Sequence, residues 1–428
     1  MKEAMLHFIW RFQLLNNLNL KTTDGKDIRI IKRGLWNKID SGPDFLMGQI
    51  ETDHRIWAGS IEIHVKSSDW DLHRHSADPA YENVILHVVY EHDRKVEMLK
   101  KRNVPTLELR AYIFPEVIKN YDELLQPGMN FIPCEKSIHL VRQEKIKFWL
   151  ERLVIERLER KTDEIEKEFG ENKKDWERLL FKKMAYSFGL KVNSDVFEIW
   201  ADSFDYKVLK KIQTRPELVQ ALFLGQAGFL DINSNDEYVL KLQDDYLFLT
   251  NKYKLFPVDN KIFKFSRMRP YSFPTVRLMQ LATLYSSYQN LFGYLMGSRS
   301  FKKIEAVFYD LAYPDFWKNH FTLEKESSRI SVKSISADLI ERLIINVVIP
   351  IKFVYSKSLG TDASEELIEW LRELPAEKNS VIAGYSKLGL KAENAFESQS
   401  FLELKKHFCN QKKCLNCAIG VQILKDVR

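Results

Sequence analysis

The stretch GSIEIHVKSSDWDLHRH, residues 59–75, reads as one strand running into a short turn that carries two histidines. Side chains on a strand repeat every two residues, so Ile61, Ile63 and Val65 take one face and Glu62, His64 and Lys66 the other. Three polar groups at that spacing on a central strand are costly to bury alone, so they must be solvated, paired or bound to a metal. The neighbouring runs IRIIKRGLW (28–36), FLMGQIETDHRIW (45–57), NVILHVVYEHD (83–93) and VPTLELRAYI (104–113) are β-branched and aromatic, broken by Gly, Asp and Asn. Ahead of them Leu6, Ile9, Trp10, Phe12, Leu14 and Leu15 run around a helical wheel, which predicts a helix over the first 20 or so residues. Residues 1–120 are therefore expected to form an α/β module, a mixed sheet with flanking helices, in an α+β protein.

From Tyr121 onward the periodicity is mostly helical, giving an expected larger helical body over 121–428. Residues 144–169 carry Ile146, Trp149, Leu150, Leu153, Ile155 and Leu158 on one stripe with mixed charges opposite. Similar patterns recur at 174–188, 216–230, 275–296, 335–355, 363–374 and 395–408. In LFLGQAGFL (222–230) the small residues Gly225, Ala227 and Gly228 predict a close helix crossing.

Composition narrows the class. Of 428 residues, 45% are hydrophobic and 29% charged, which excludes a disordered or collagen-like chain. The net charge of +6 (65 basic less 59 acidic residues) leaves any nucleic-acid grip to local arginine placement. The most apolar run, LIINVVIPIKFVY (343–355), is interrupted by Asn346, Pro350 and Lys352 and is too short to span a bilayer. It is expected to be a buried helix or strand, with no membrane association. The start, MKEAMLHFIWRFQLL, has Glu3, His7 and Arg11 inside its apolar stretch, unlike a signal peptide. With three of the four cysteines clustered rather than scattered in pairs, the expected compartment is the cytoplasm, with reduced thiols.

Residues 42–75 resemble the PD-(D/E)xK phosphodiesterase superfamily. Pro43-Asp44 matches the PD element and Glu62 the acidic position on the next strand; Glu3 lies in the preceding helix. The resemblance implies an αβββαβ core in which Asp44 and Glu62 hold Mg²⁺ or Mn²⁺ for cleavage of DNA or RNA. It departs at one position, since His64 stands where the superfamily has Lys and the nearest Lys is Lys66. In this reading His64 or Lys66 orients the attacking water. Other readings of the same residues stand beside it. Asp44 caps a turn and Glu62 and Lys66 form a cross-strand ion-pair ladder. Or the protein is a non-catalytic nucleic-acid-binding or scaffold protein that keeps a nuclease-like fold, its missing Lys marking a dead site. Or His73, His75 and Asp78, with His64 and His87 on neighbouring strands, ligate the metal of a hydrolase.

Arg267, Arg269 and Arg277 are interleaved with Phe265, Tyr271 and Phe273, a pattern that grips phosphates and stacks bases. It equally serves ion pairing with acidic helices such as that of Asp244 and Asp245. Cys409-x4-Cys414-x2-Cys417, with Cys134 as a remote fourth ligand, has the spacing of a zinc site or a 4Fe–4S cluster, and His407 is an alternative fourth ligand. Three buried free thiols are the bland reading. Some superfamily members join a C-terminal cysteine trio to a distant cysteine through such a cluster.

GPDF, GSIEIHVKSSDW with HRH, NVILHVV, ALFLGQAGFL, SRMRPYSFPTVR and SQSFLELKKHFCNQKKCLNCAIG together are similar to a bacterial family classed as a domain of unknown function. That resemblance implies no activity.

Overall fold

The structure is a computed structural model describing residues 1–37, 41–125, 130–171 and 175–426. The chain forms two compact units by contact. The first comprises Met1–Leu153, Asn379–Lys391 and Phe401–Arg428; the second comprises Val154–Lys378 and Ala392–Ser400. The protein is α+β, a mixed sheet in the N-terminal region followed by a helical body.

The sheet contains β1 (Ile28–Lys32), β2 (Leu35–Trp36), β3 (Phe45–Thr52), β4 (Arg55–Lys66), β5 (Val84–Glu91) and β6 (Thr106–Glu108). Its order is β1-β3-β4-β5-β6, with β2 beside β3. β1, β3 and β4 form an antiparallel meander, whereas β5 and β6 run parallel to β4. The meander turns at Asp53 and His54, both left-handed (φ 53° and 60°), as a two-residue type I′ hairpin requires. That turn pairs Thr52 with Arg55 and, past an irregularity, Phe45 with Ile61. Asp44, just ahead of β3, is thereby brought beside Glu62. Register is what joins the two acidic positions.

Helix α1 (Glu3–Phe12) packs on β4 and buries Met5, Leu6, Ile9 and Trp10. It is shorter than the apolar wheel predicted, because Gln13 turns left-handed (φ 52°) and its N–H closes back on Ile9 and Trp10. After β4 come α2 (Asp69–Leu72), then α3 (Glu97–Lys101) between β5 and β6, α4 (Pro115–Leu125) and α5 (Gln143–Glu171). The division between units falls inside α5 rather than at residue 120, and the last segment of the chain belongs to the first unit. The cause is packing: the helix Ala418–Lys425 lies against α4, and the turn Cys414–Asn416 lies against α1.

The second unit is helical and has an aromatic centre in Phe181, Trp200, Phe223 and Tyr285. The run at 343–355 is helical, with a wider π turn at Ile344–Val348 just before Pro350, whose missing N–H a regular helix would need. No helix among the described residues is long and apolar enough to cross a membrane. The small-residue crossing takes the expected form. A Cβ on Gly225 would lie 2.2 Å from the Tyr246 ring, whose hydroxyl is 3.1 Å from Gln226 Oε1. Gly225→Ala must therefore displace a ring held at its far end, and it is expected to destabilise the second unit by about 1–3 kcal/mol in urea unfolding followed by circular dichroism.

Candidate metal centre

Backbone amides fix the two carboxylates first. The amide of Asp44 donates to Glu62 Oε2 at 3.1 Å, and the amide of Ile63 donates to Asp44 Oδ2 at 2.9 Å. The reciprocal pair locks the start of β3 to the middle of β4. From α1, His7 Nε2 stands 3.1 Å from the same Asp44 Oδ2, with Glu3 one helical turn away at 4.0 Å from His7. Glu62 thus has Oε2 occupied and Oε1 left to face the other way.

Oε1 faces imidazoles. It lies 3.2 Å from His75 Nε2 and 3.5 Å from His64 Nε2. His64 Nε2 is also 3.2 Å from His75 Nε2 and 3.2 Å from His73 Nδ1. One nitrogen thus has three potential ligand atoms around it. Imidazole nitrogen and carboxylate oxygen bound to one ion at about 2.0–2.2 Å stand about 3.3 Å apart at the corners of a tetrahedron. Those four separations match that edge, and the set whose ligand atoms all lie within 4.8 Å of one another is His64, His73 and His75. Each neutral imidazole carries one proton, so His64 Nε2 cannot satisfy three neighbours by hydrogen bonding alone.

The turn after β4 is bent to make this meeting. Arg74, between the two histidines, is left-handed (φ 60°, ψ 29°), a conformation that costs a non-glycine residue about 1–2 kcal/mol. Strain of this kind gathers at functional sites. It lets His73 and His75 both reach His64 although they are two residues apart. His75 stacks on Tyr81 at 3.8 Å, and buried Trp70 packs edge-on against His64, His75 and His87. From β5, directly opposite Glu62 in register, His87 Nε2 meets His64 Nδ1 at 2.9 Å. This is the place of the outer partner that fixes a ligating histidine's orientation.

Burial dominates the electrostatics. It drives Glu62, helped by the Asp44 carboxylate, up to about 7 against the pull of His75. Burial and the surrounding imidazoles push His64 down to about 2, and burial with His75 and His92 pushes His87 down to about 3. His7 also loses to burial, but Asp44, Glu3 and Glu62 outweigh the loss and leave it raised. The interior of the cluster therefore favours neutral imidazoles, the form in which histidine ligates a metal.

The structure thus merges two of the constellations read from sequence. Glu62 and His64 join His73 and His75; among the described residues these three histidines are the set whose ligand atoms all lie within 4.8 Å of one another. Asp44 sits beside them, tied to Ile63 and His7. Asp78 does not join: its carboxylate accepts from the amide of Ala80 and caps the short turn Pro79–Tyr81. Lys66 is exposed at the end of β4, so it does not reach back toward Glu62 as a cross-strand partner would. Arg277 is buried, donating to Gln280 at 2.8 Å and Ser272 at 3.3 Å, while Arg267 and Arg269 are exposed. The expected three-arginine surface is reduced to two residues, because the helix Pro274–Ser287 turns Arg277 into the core. His7 and Trp70 were not singled out in the sequence as site residues. The i, i+4 pairing of Glu3 and His7 on the polar side of an apolar helix was the available signal for His7.

The chain belongs to the family described as "Protein of unknown function (DUF2851)", whose model matches residues 3–380. The match includes every residue of the carboxylate–histidine site and stops ahead of Cys409, Cys414 and Cys417. No curated protein and no solved structure matches the chain.

Proposed function

We propose that the protein is a metal-dependent phosphodiesterase, hydrolysing DNA or RNA at a divalent ion held by Glu62, His64, His73 and His75. The observation that carries the reading is the meeting of Glu62 Oε1 and two further imidazole nitrogens around His64 Nε2 at 3.2–3.5 Å. The choice of phosphodiester substrates rests on placement. Helix α1, the antiparallel meander β1, β3 and β4 with the short β2 beside β3, the helical turn α2 and the parallel strand β5 follow in order, with Asp44 entering β3 and Glu62 on β4. That is the arrangement the superfamily resemblance implies. His64, at the position of the usual Lys, turns toward the ligand cluster instead of standing apart as a water-orienting cation.

The donor set also selects the ion. Three imidazoles and a carboxylate suit Zn²⁺, Mn²⁺ or Fe²⁺, whereas Mg²⁺ prefers oxygen ligands. When bound, such an ion polarises a phosphoryl oxygen and makes a coordinated water acidic. The chain's own residues do the rest. The Asp44 amide fixes Glu62, the Ile63 amide and His7 fix Asp44, and His87 holds His64 from behind. Trp70 and Tyr81 keep water from the inner side. Exposed His73 marks the side open to substrate.

The test is cleavage of single- and double-stranded DNA and RNA with Mg²⁺, Mn²⁺ or Zn²⁺, comparing the protein with Asp44→Ala and Glu62→Ala. Cleavage is expected with Mn²⁺ or Zn²⁺ and is expected to fall below about a hundredth in Glu62→Ala. Activity unchanged from the wild type in both variants would refute the reading. No cleavage by a metal-loaded protein would leave the non-catalytic reading standing.

A further inference from the structure

The four cysteines lie outside the site just described, yet all belong to the first unit. Cys134 sits in the loop after α4; Cys409 closes the π-helical turn Leu404–Cys409; Cys414 opens the turn Cys414–Asn416; Cys417 caps the helix Ala418–Lys425. Cys134, Cys414 and Cys417 are 7–8% exposed, and none of the four forms a disulfide. The remote loop is tied to the C-terminal segment on several sides. Lys405 Nζ donates to the Phe131 carbonyl at 2.5 Å, the Phe131 ring meets Tyr385 edge-on at 5.1 Å, and the Tyr385 hydroxyl is 3.5 Å from Cys409 Sγ.

The four thiols are close enough to act on one another's charge. Burial is the main reason Cys134, Cys409 and Cys414 resist ionising, and in every pairing of the four each sulfur adds to a neighbour's resistance. At the helix start burial pushes the Cys417 thiol up, against the pull of the nearby amides of Gly420 and Ile419. Four thiols gathered from two distant parts of the chain, three of them buried and Cys409 half-buried, constitute a ligand set whose ion is to be identified.

Spacing selects the occupant. One zinc ion draws four sulfurs to about 2.3 Å, hence about 3.8 Å from each other. Here no three of the sulfurs fall within 4.8 Å of one another, unlike the three histidines. An iron–sulfur cluster holds its cysteines further apart, because iron and sulfide stand between them. We propose that Cys134, Cys409, Cys414 and Cys417 ligate an iron–sulfur cluster that fastens the C-terminal segment to the loop after α4. The proposal does not depend on the histidine site or on phosphodiester cleavage.

The experiment is iron, zinc and acid-labile sulfide analysis of the full chain purified without oxygen, with its visible spectrum before and after dithionite. It is run in parallel on His64→Ala so that zinc in the histidine site does not enter the count. Iron matched by acid-labile sulfide, with a broad visible absorption that bleaches on reduction, is expected. Zinc without sulfide in His64→Ala, or four freely titrating thiols and no metal, would overturn the proposal. Cys134→Ser and Cys409→Ser are expected to lose at least half of the sulfide, and His407→Ala to keep it. Sulfide lost in His407→Ala and kept in Cys134→Ser would overturn the assignment of the fourth ligand. The wild-type analysis decides the occupant even if a cysteine variant fails to fold.

Discussion

His64→Ala is expected to weaken binding of Zn²⁺ or Mn²⁺ by more than about 100-fold, since loss of an outer partner alone costs about 10–100-fold. His64 is the hub: its Nε2 is the atom within 3.5 Å of Glu62 Oε1, His75 Nε2 and His73 Nδ1. Removing it takes away one ligand and the packing that orients two others. Graded effects should follow from position. His73 is exposed and reaches the cluster from the rim, so His73→Ala should cost less than His64→Ala. His87→Phe retains a buried ring but removes the partner of His64 Nδ1, and a loss of about 10–100-fold is expected. Competition titration against a chromophoric chelator measures all three. Equal, small losses across the series would show that the imidazoles do not share an ion.

Trp70→Ala is the second large effect. The indole is fully buried, donates to Ser76 Oγ at 3.0 Å, and touches His64, His75, His87 and Tyr81. Truncating a buried tryptophan costs about 3–5 kcal/mol through lost transfer energy and the cavity left behind. With two units in the chain, one global unfolding energy is poorly defined, so the effect is best read locally. At about 1.4 kcal/mol per decade, hydrogen-exchange protection of β4 and β5 should drop by roughly two to four decades, down to the stability of the unit. Protection in the helix Pro216–Gln226 should stay unchanged. Unaltered exchange in β4 and β5 would mean that Trp70 does not brace the turn.

Much of this architecture was legible because it rests on local pattern. Period-two alternation placed Glu62 and His64 on one face, and the helical stretches were marked by their apolar stripes. Tertiary choices were not legible. Nothing in the spacing of Asp44 and Glu62 reveals a type I′ turn at Asp53-His54, which sets the register that joins them. Nothing in HRH reveals that Arg74 turns left-handed and delivers both histidines to His64, while Asp78 spends its carboxylate on a cap. Arg277 looked like its exposed neighbours because a sequence shows the charge of a residue and not the direction it faces on a packed helix. The placement of the C-terminal segment in the first unit, too, depends on one helix docking against α4, a contact between residues some 300 apart in sequence.

The most direct test of the metal centre is an anomalous difference map from crystals grown with Zn²⁺ or Mn²⁺. The predicted result is a peak about 2.0–2.2 Å from His64 Nε2, His75 Nε2, His73 Nδ1 and Glu62 Oε1. A peak held by Asp44 without the histidines, or none at the cluster in metal-saturated crystals, would contradict it.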